Sequence, residues 1–322
     1  MNSRELVTAT IKGRNTGMTP VYGWVSANLK DELTQAFGSV ENFEDKYAFD
    51  MAHIFGGPNP FDGIKLRELR KQGVEITPEV LLDIPLMPAD RTEDYENIRK
   101  ALDHHQVQRQ RFCYIQTPGI FECLNGAFGI ENHLMYLALY PEALKEIYRR
   151  QAAWNARFAE SALDLGMDMV HVSDDWGAQR SLMFSYDMWR EMIFPYHQTI
   201  ADRVKARGAF LSLHSDGYVV PALDGIVELG YDVLHPWQES AGMTYDLYLD
   251  RYQDQLAILG GLCIQTTIGF GDFRRLENEI RRVFSLLKGK RWMFCTTHFV
   301  QKHCSIEELT FAYDLAVKLA RE

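Results

Sequence analysis

Residues 141–172, PEALKEIYRRQAAWNARFAESALDLGMDMVHV, decide the fold. The stretch 141–166 carries apolar side chains at helical spacing, opens on Pro141 and stops at Gly166, residues that favour helix starts and helix ends. Met167–Val172 then form a short apolar run, the pattern of a strand buried inside a sheet. The same alternation continues downstream. A helix over 185–208 delivers the strand AFLSL (209–213), and a helix over 219–229 delivers DVLHP (232–236). TYDLYLDRYQD (244–254) is helical and precedes the strand LAILGGLC (256–263). A helix over 272–289 leads to RWMFC (291–295), and a last helix over 305–320 closes the chain.

Strands and helices alternating in this way build βαβ units and a parallel sheet. The run contains no GxGxxG or GKS/T turn, so an α/β fold of the (β/α)8 TIM-barrel type is expected rather than a dinucleotide-binding sheet. The N-terminal part is less regular. TPVYGWV (19–25), YAFDMAHIFGG (47–57) and RFCYIQT (111–117) read as the early strands. Residues 56–110, with Pro58, Pro60, Pro78, Pro85 and Pro88, read as an inserted excursion. The 322 residues fit one barrel domain with that irregular N-terminal part.

Composition narrows the function classes. The formal net charge is -10, which disfavours nucleic acid and anionic membranes as partners because both require a basic face. No run of about 18 apolar residues supports a membrane span. The opening MNSRELVTATIKGRN lacks the apolar core of a signal peptide. Cys113, Cys123, Cys263, Cys295 and Cys304 make an odd set without CxxC spacing, which fits a reducing cytoplasm and argues against both a disulfide framework and a thiolate zinc finger.

In a barrel of this kind, chemistry sits where strands end. Met167–Val172 runs into Ser173, Asp174 and Asp175, with Gln179 and Arg180 following. The next strands run into His214 and Asp216, then His235, Trp237 and Gln238, then Gln265, then Thr296, Thr297 and His298. Each has a plain structural alternative. Asp216 before Gly217 suits a turn. Adjacent residues on an extended backbone face opposite ways, so at least one of Asp174 and Asp175 is structural. Trp237 reads as core or as rim, and Arg180 beside Gln179 as a surface charge or as a clamp for carboxylate or phosphate. His214, Asp216 and His298 together form a set of two imidazoles and one carboxylate, suited to zinc or another divalent metal with open positions. Without metal the same set serves as an acid/base cluster. Cys295 reads either as a soft ligand or as part of a strand wall, and no GxSxG nucleophile is present.

Residues 117–147, 172–208, 213–243, 258–268 and 297–309, which include VSDDWGAQRS, LHSDGYVVPALDG, ILGGLCIQTTI and THFVQKHCSIEEL, resemble the uroporphyrinogen decarboxylase superfamily in its own order. The resemblance is greater to its methyltransferase-type members than to the decarboxylases, whose early arginine motif is missing from MTPVYGWVSANL (18–29). It implies a (β/α)8 barrel with a pocket at the C-terminal mouth. It further implies methyl transfer to or from a corrinoid carried by a partner protein, with a small substrate for which an O-methyl compound is one candidate, and it offers the homodimer as precedent. Such members hold zinc through an HxC pair and a late cysteine. Those places fall here on His214-Ser215-Asp216 and at or near His298, so oxygen and imidazole replace both thiolates. His214, Asp216 and His298 are therefore the expected metal ligands and catalytic residues. Asp175, Gln179, Arg180, His235, Trp237 and Gln265 are expected to orient the substrate. The alternatives are a decarboxylase of a carboxylated small molecule or tetrapyrrole, and a non-catalytic barrel that binds a small ligand.

Overall fold

The computed structural model describes residues 1–322. Seven strands form one sheet in chain order: β1 (Met51–Ile54), β2 (Phe112–Pro118), β3 (Met169–Ser173), β4 (Phe210–His214), β5 (Val233–His235), β6 (Ala257–Leu262) and β7 (Trp292–Thr296). β2–β3, β3–β4, β5–β6 and β6–β7 pair in parallel. Every residue of β3, β6 and β7 is buried, so these strands read as continuous apolar runs rather than as alternating ones. The fold is thus α/β with a seven-stranded parallel sheet.

Contacts divide the chain into two compact units. The first comprises Met1–Ala52, His104–Cys113 and Asp232–Glu322. Its helix Phe273–Leu287 buries Leu276, Ile280, Val283, Phe284 and Leu287 along one stripe. Its closing helix Ile306–Arg321 is capped by Ser305, whose Oγ accepts the Glu308 N–H at 3.1 Å. The expected strand 19–25 is reduced to a single bridge, Val21 to Phe294. Tyr22 N–H donates to Phe294 O and Phe294 N–H to Pro20 O, each at 2.9 Å. The ladder stops there for a chemical reason. Pro20 has no N–H, the Val21 N–H goes to the Asp50 carboxylate at 2.9 Å, and the Trp24 N–H goes to Thr296 Oγ1 at 3.0 Å. The expected helix 244–254 starts as one α turn, Tyr245–Leu247, and widens into a π turn over Tyr248–Tyr252. Tyr248 is buried there, its hydroxyl reaching Leu256 O at 3.1 Å and Arg291 O at 3.0 Å.

The second unit comprises His53–Asp103 and Tyr114–Tyr231. The helix Pro141–Asp164 buries one face and packs on the helix Phe194–Ala206. The single helix expected over 185–208 is two, Tyr186–Met192 and Phe194–Ala206, broken at Ile193 (φ -120°, ψ -51°). Pro195 imposes the break, because it lacks an N–H and its ring collides with the carbonyl four residues back. The proline-rich excursion is largely helical, with Gly63–Lys71, Pro78–Leu82 and Glu96–Leu102. Pro78 opens a helix behind the Thr77 cap rather than interrupting one. Two side chains of the Pro141–Asp164 helix hold this region, as Trp154 Nε1–H donates to Met87 O at 2.6 Å and Arg150 Nη1–H to Leu82 O at 2.9 Å. The expected helix 219–229 is a 3-10 turn, Val220–Ala222, followed by Leu223–Glu228.

Gly23 tests the packing of the 19–25 segment. A Cβ there would stand 1.6 Å from the Tyr313 hydroxyl oxygen, which donates to Tyr22 O at 3.1 Å. Gly23→Ala is expected to expel the Tyr313 ring and destabilise the protein by about 1–3 kcal/mol, measured by urea unfolding. Gly126→Ala, whose added methyl meets nothing within 4 Å, is the control and is expected to leave the midpoint unchanged or raised.

Candidate active site

In the second unit, the strand ends of β3 and β4 bring acidic groups around one imidazole. Asp174 extends the β3–β4 ladder, its N–H donating to His214 O at 2.9 Å. Its side chain is fully buried and takes four donors. Oδ1 accepts the N–H groups of Phe121 (2.9 Å) and Glu122 (2.6 Å), and Oδ2 accepts Trp176 Nε1–H (2.9 Å). His197 Nε2 lies 2.7 Å from Oδ2, and its Nδ1 lies 2.7 Å from the Tyr231 hydroxyl. Of the two adjacent aspartates, Asp174 is therefore the structural one.

Asp175 takes the other direction. Its Oδ1 accepts the Asp216 N–H at 2.7 Å. His214 Nε2 lies 3.7 Å from Asp175 Oδ1 and 3.9 Å from Asp216 Oδ1. Glu122 joins from the end of β2, its Oε2 accepting Ser173 Oγ–H at 3.2 Å. Burial, then the negative charge of Asp175 and Glu122, pushes the Asp216 carboxyl up to about 8. Burial, then Asp175 and Asp174, pushes Glu122 up to about 7, and burial raises Asp175. Burial thus raises all three carboxyls, and Asp175 adds to the rise of both Asp216 and Glu122. Such a group holds protons near neutral pH, or accepts a cation that relieves the repulsion. The loops meet closely here. A Cβ on Gly119 would stand 2.2 Å from Ser173 O, and one on Gly177 2.4 Å from Asp216 O. Gln179 and Arg180 are exposed on the loop that closes with the Gly177–Leu182 bridge. His171, one layer below, lies with Nδ1 2.8 Å from Ser212 Oγ.

The first unit carries the remaining expected residues. His235 ends β5 fully buried, its Nε2 3.0 Å from Thr296 O and its ring 4.2 Å from that of Trp24. Trp237 is core: its Nε1–H donates to Thr244 O at 3.0 Å and its ring lies 5.3 Å from Tyr248. Gln265 is exposed, its Oε1 accepting Gln238 Nε2–H at 2.9 Å and Ser240 Oγ–H at 2.8 Å. His298 is half-buried against Trp24 and Phe299, and burial lowers its pKa, which favours the neutral imidazole that ligates metals. Cys295 is fully buried in β7, where burial pushes its thiol far up. It is a wall residue, and the soft-ligand alternative loses its basis.

Sequence reasoning missed Glu122. The available signal was the same one used elsewhere, an ionisable group just past a strand end, here after RFCYIQT and at the start of the helix Glu122–Phe128. Behind it, Phe121 stacks on His133 with centroids 4.4 Å apart. His133 Nδ1 lies 2.8 Å from Asn125 Oδ1 and Nε2 2.7 Å from the Tyr148 hydroxyl. Burial pushes its pKa down to about 3.

The model of the family described as uroporphyrinogen decarboxylase (URO-D) matches residues 123–319. No curated protein matches the chain by sequence. Among solved structures, a methyltransferase from Methanosarcina mazei is similar over 99% of both chains, with TM-score 0.69 and 12% identity. A sugar phosphate isomerase/epimerase from Parabacteroides distasonis is similar over 94% of both chains, with TM-score 0.50 and 11% identity. A B12-independent methionine synthase from Shewanella sp. W3-18-1 reaches TM-score 0.47 at 10% identity, over 70% of this chain and 66% of that one. At these identities the structural likenesses speak to the fold.

Two outcomes follow from the buried network. Asp174→Asn turns an acceptor of four donors into a group that presents its own N–H₂ to other donors, and is expected to cost about 2–4 kcal/mol in denaturant unfolding. His133 is held neutral in the folded state while the unfolded chain protonates near 6.5. Between that pH and about 3 the unfolded state binds more protons, so stability falls as the pH falls, by roughly 1.4 kcal/mol per unit from this group. His133→Gln should flatten that acid slope in unfolding measurements at pH 4 to 7.

Proposed function

The chain belongs to the uroporphyrinogen decarboxylase family, and on that premise we propose that it is a methyltransferase. It moves a methyl group between a small, O-methylated substrate and a corrinoid carried on a partner protein. The observation that carries this reading is the group formed by His214, Asp175 and Asp216, with carboxylate oxygens 3.7 and 3.9 Å from Nε2. Family membership and the fold shared with the Methanosarcina mazei methyltransferase support the choice of chemistry.

His214 and Asp216 are proposed to hold zinc or another divalent ion, with His298 as the third ligand. The donor set fits such an ion. Imidazole and carboxylate are ordinary zinc ligands, and the raised Asp216 carboxyl near His214 is in the state that a nearby divalent charge relieves. When bound, the ion supplies a Lewis acid to the heteroatom that loses the methyl group. Asp175 keeps the loop of Asp216 in place through the Asp216 N–H and stands beside the imidazole of His214. Gln179, Arg180 and Gln265, all exposed, are assigned to substrate orientation, as are His235 and Trp237, which are buried.

Elemental analysis of the purified protein should find stoichiometric zinc or another divalent metal, lost in His214→Ala and in Asp216→Ala. Asp175→Ala should retain the metal with affinity weakened about 10–100-fold. Methyl transfer from methoxyarenes to free reduced cobalamin should disappear with the metal. A metal-free protein with full transfer activity would refute the role of the ion, and a metal-bearing protein inert towards every methyl donor would refute methyl transfer.

A further inference from the structure

In the first unit, the loop after β6 and the first turns of the helix Phe273–Leu287 line a cavity of about 580 Å³. The loop is held in place from both sides. Thr267 N–H and Ile268 N–H both donate to Cys263 O, at 3.0 and 3.1 Å. Glu308, only 2% exposed, accepts Gly269 N–H at 2.8 Å and Phe270 N–H at 3.1 Å. A buried carboxylate thus fixes a loop that keeps the Phe270 ring in solvent, 51% exposed.

The cavity is rich in donors and poor in free acceptors. Arg274, Arg275 and Asn278 line it, and no hydrogen bond or ion pair within the protein occupies their side chains. The Arg275 guanidinium carbon lies 6.0 Å from the Phe270 ring centroid, a contact that leaves its N–H groups free to donate. Thr266 Oγ1 and Thr267 Oγ1 lie 3.3 Å apart. One hydroxyl donates to the other, so the pair keeps one hydrogen for an outside acceptor. The two carboxylates in the wall are already engaged. Asp272 Oδ1 caps the helix by accepting the Arg275 N–H at 3.0 Å. Glu279 accepts from Arg282 at 2.9 and 2.7 Å, and Arg282 also reaches Glu239. Arg282 and Glu279 therefore cancel, and Arg274 and Arg275 face Asp272 alone. In a chain of net charge -10, this cavity holds an excess of positive charge.

We propose that this cavity binds the phosphate group of a small organic phosphate ester. Phosphate oxygens accept from both guanidinium forks, from the Asn278 amide and from the spare threonine hydroxyl, whereas a carboxylate leaves more of these donors unmet. In (β/α)8 barrels the loops after the last two strands are a frequent seat for phosphate, and β6 is the last strand but one of this sheet. The volume is that of a small-molecule site rather than of a lone ion, and the exposed Phe270 ring beside Arg275 offers a face to the organic part. The site is built by the first unit alone, uses none of the residues assigned to the metal or to substrate orientation, and stands independently of the methyl-transfer reading.

The test is calorimetric titration of the full-length protein in phosphate-free buffer with three probes: AMP, adenosine and inorganic phosphate. AMP should bind and adenosine should not. Inorganic phosphate should bind about 3–10-fold more weakly than AMP, the difference being the ring contact with Phe270. Arg274→Gln and Arg275→Gln should each weaken AMP about 10–100-fold. Arg281→Gln removes an arginine that pairs with Glu277 at 2.8 Å outside the cavity, and should leave AMP binding unchanged. Urea midpoints of the same variants verify that each is folded. Adenosine binding as tightly as AMP overturns the proposal, as does full AMP affinity in Arg274→Gln and Arg275→Gln. Failure of both AMP and inorganic phosphate to bind at millimolar concentration overturns it too. Inorganic phosphate binding as tightly as AMP overturns the ester and makes free phosphate the occupant.

Discussion

The structure of the second unit turns on one buried carboxylate. Asp174 accepts from two backbone amides, an indole and an imidazole, all between 2.6 and 2.9 Å. An unpaired charge in that position would be prohibitive, and an aspartate with this many donors is instead a strong organising centre. Through it, the end of β3, the start of the helix Glu122–Phe128, the tryptophan of the following loop and the helix Phe194–Ala206 share one reference point. Its N–H continues the ladder to β4 at His214. Moving any of these elements exposes a buried donor, so they move together or not at all.

That rigidity explains how the neighbouring acids can stay so close. Burial raises the proton affinity of Glu122, Asp175 and Asp216, and the neighbouring carboxyls add to it, Asp175 for both Glu122 and Asp216, which is unfavourable for the folded state at neutral pH and above. A flexible loop would relax by turning one carboxyl out to water. Here Asp175 is tied to the Asp216 N–H, Glu122 to Asp174 and Ser173, and glycines at 119 and 177 leave no room for the loops to separate by a side chain. The fold therefore stores an electrostatic cost beside His214, a pattern common where ionisable groups are set for chemistry.

Much of this was legible in the sequence, and the failures have definite causes. The βα period fixed the position of five consecutive strands, because buried parallel strands are apolar runs bounded by polar ends. Parity could say that Asp174 and Asp175 diverge, but not which one points inward, since that depends on partners as distant as His197 and Tyr231. Glu122 escaped because only the ends of the five later strands were read for chemistry, although RFCYIQT (111–117) was already placed as a strand. His235 and Trp237 occupy strand-end positions and still face protein, with their ring nitrogens engaged by carbonyls of Thr296 and Thr244. Residues 19–25 have strand composition, yet the Asp50 side chain and Thr296 Oγ1 take the amides that a ladder needs. Side-chain competition for backbone donors leaves no periodic trace.

The same logic bears on the substitution of oxygen and imidazole for thiolate at the proposed metal ligands. Thiolates donate charge strongly to zinc and leave it a mild acid, well matched to activating another thiol. Aspartate and histidine leave more positive charge on the ion, which then prefers oxygen donors and polarises them more. A harder site has a cost, because oxygen leaving groups depart with more developed negative charge than sulfur ones and bind the ion more firmly afterwards.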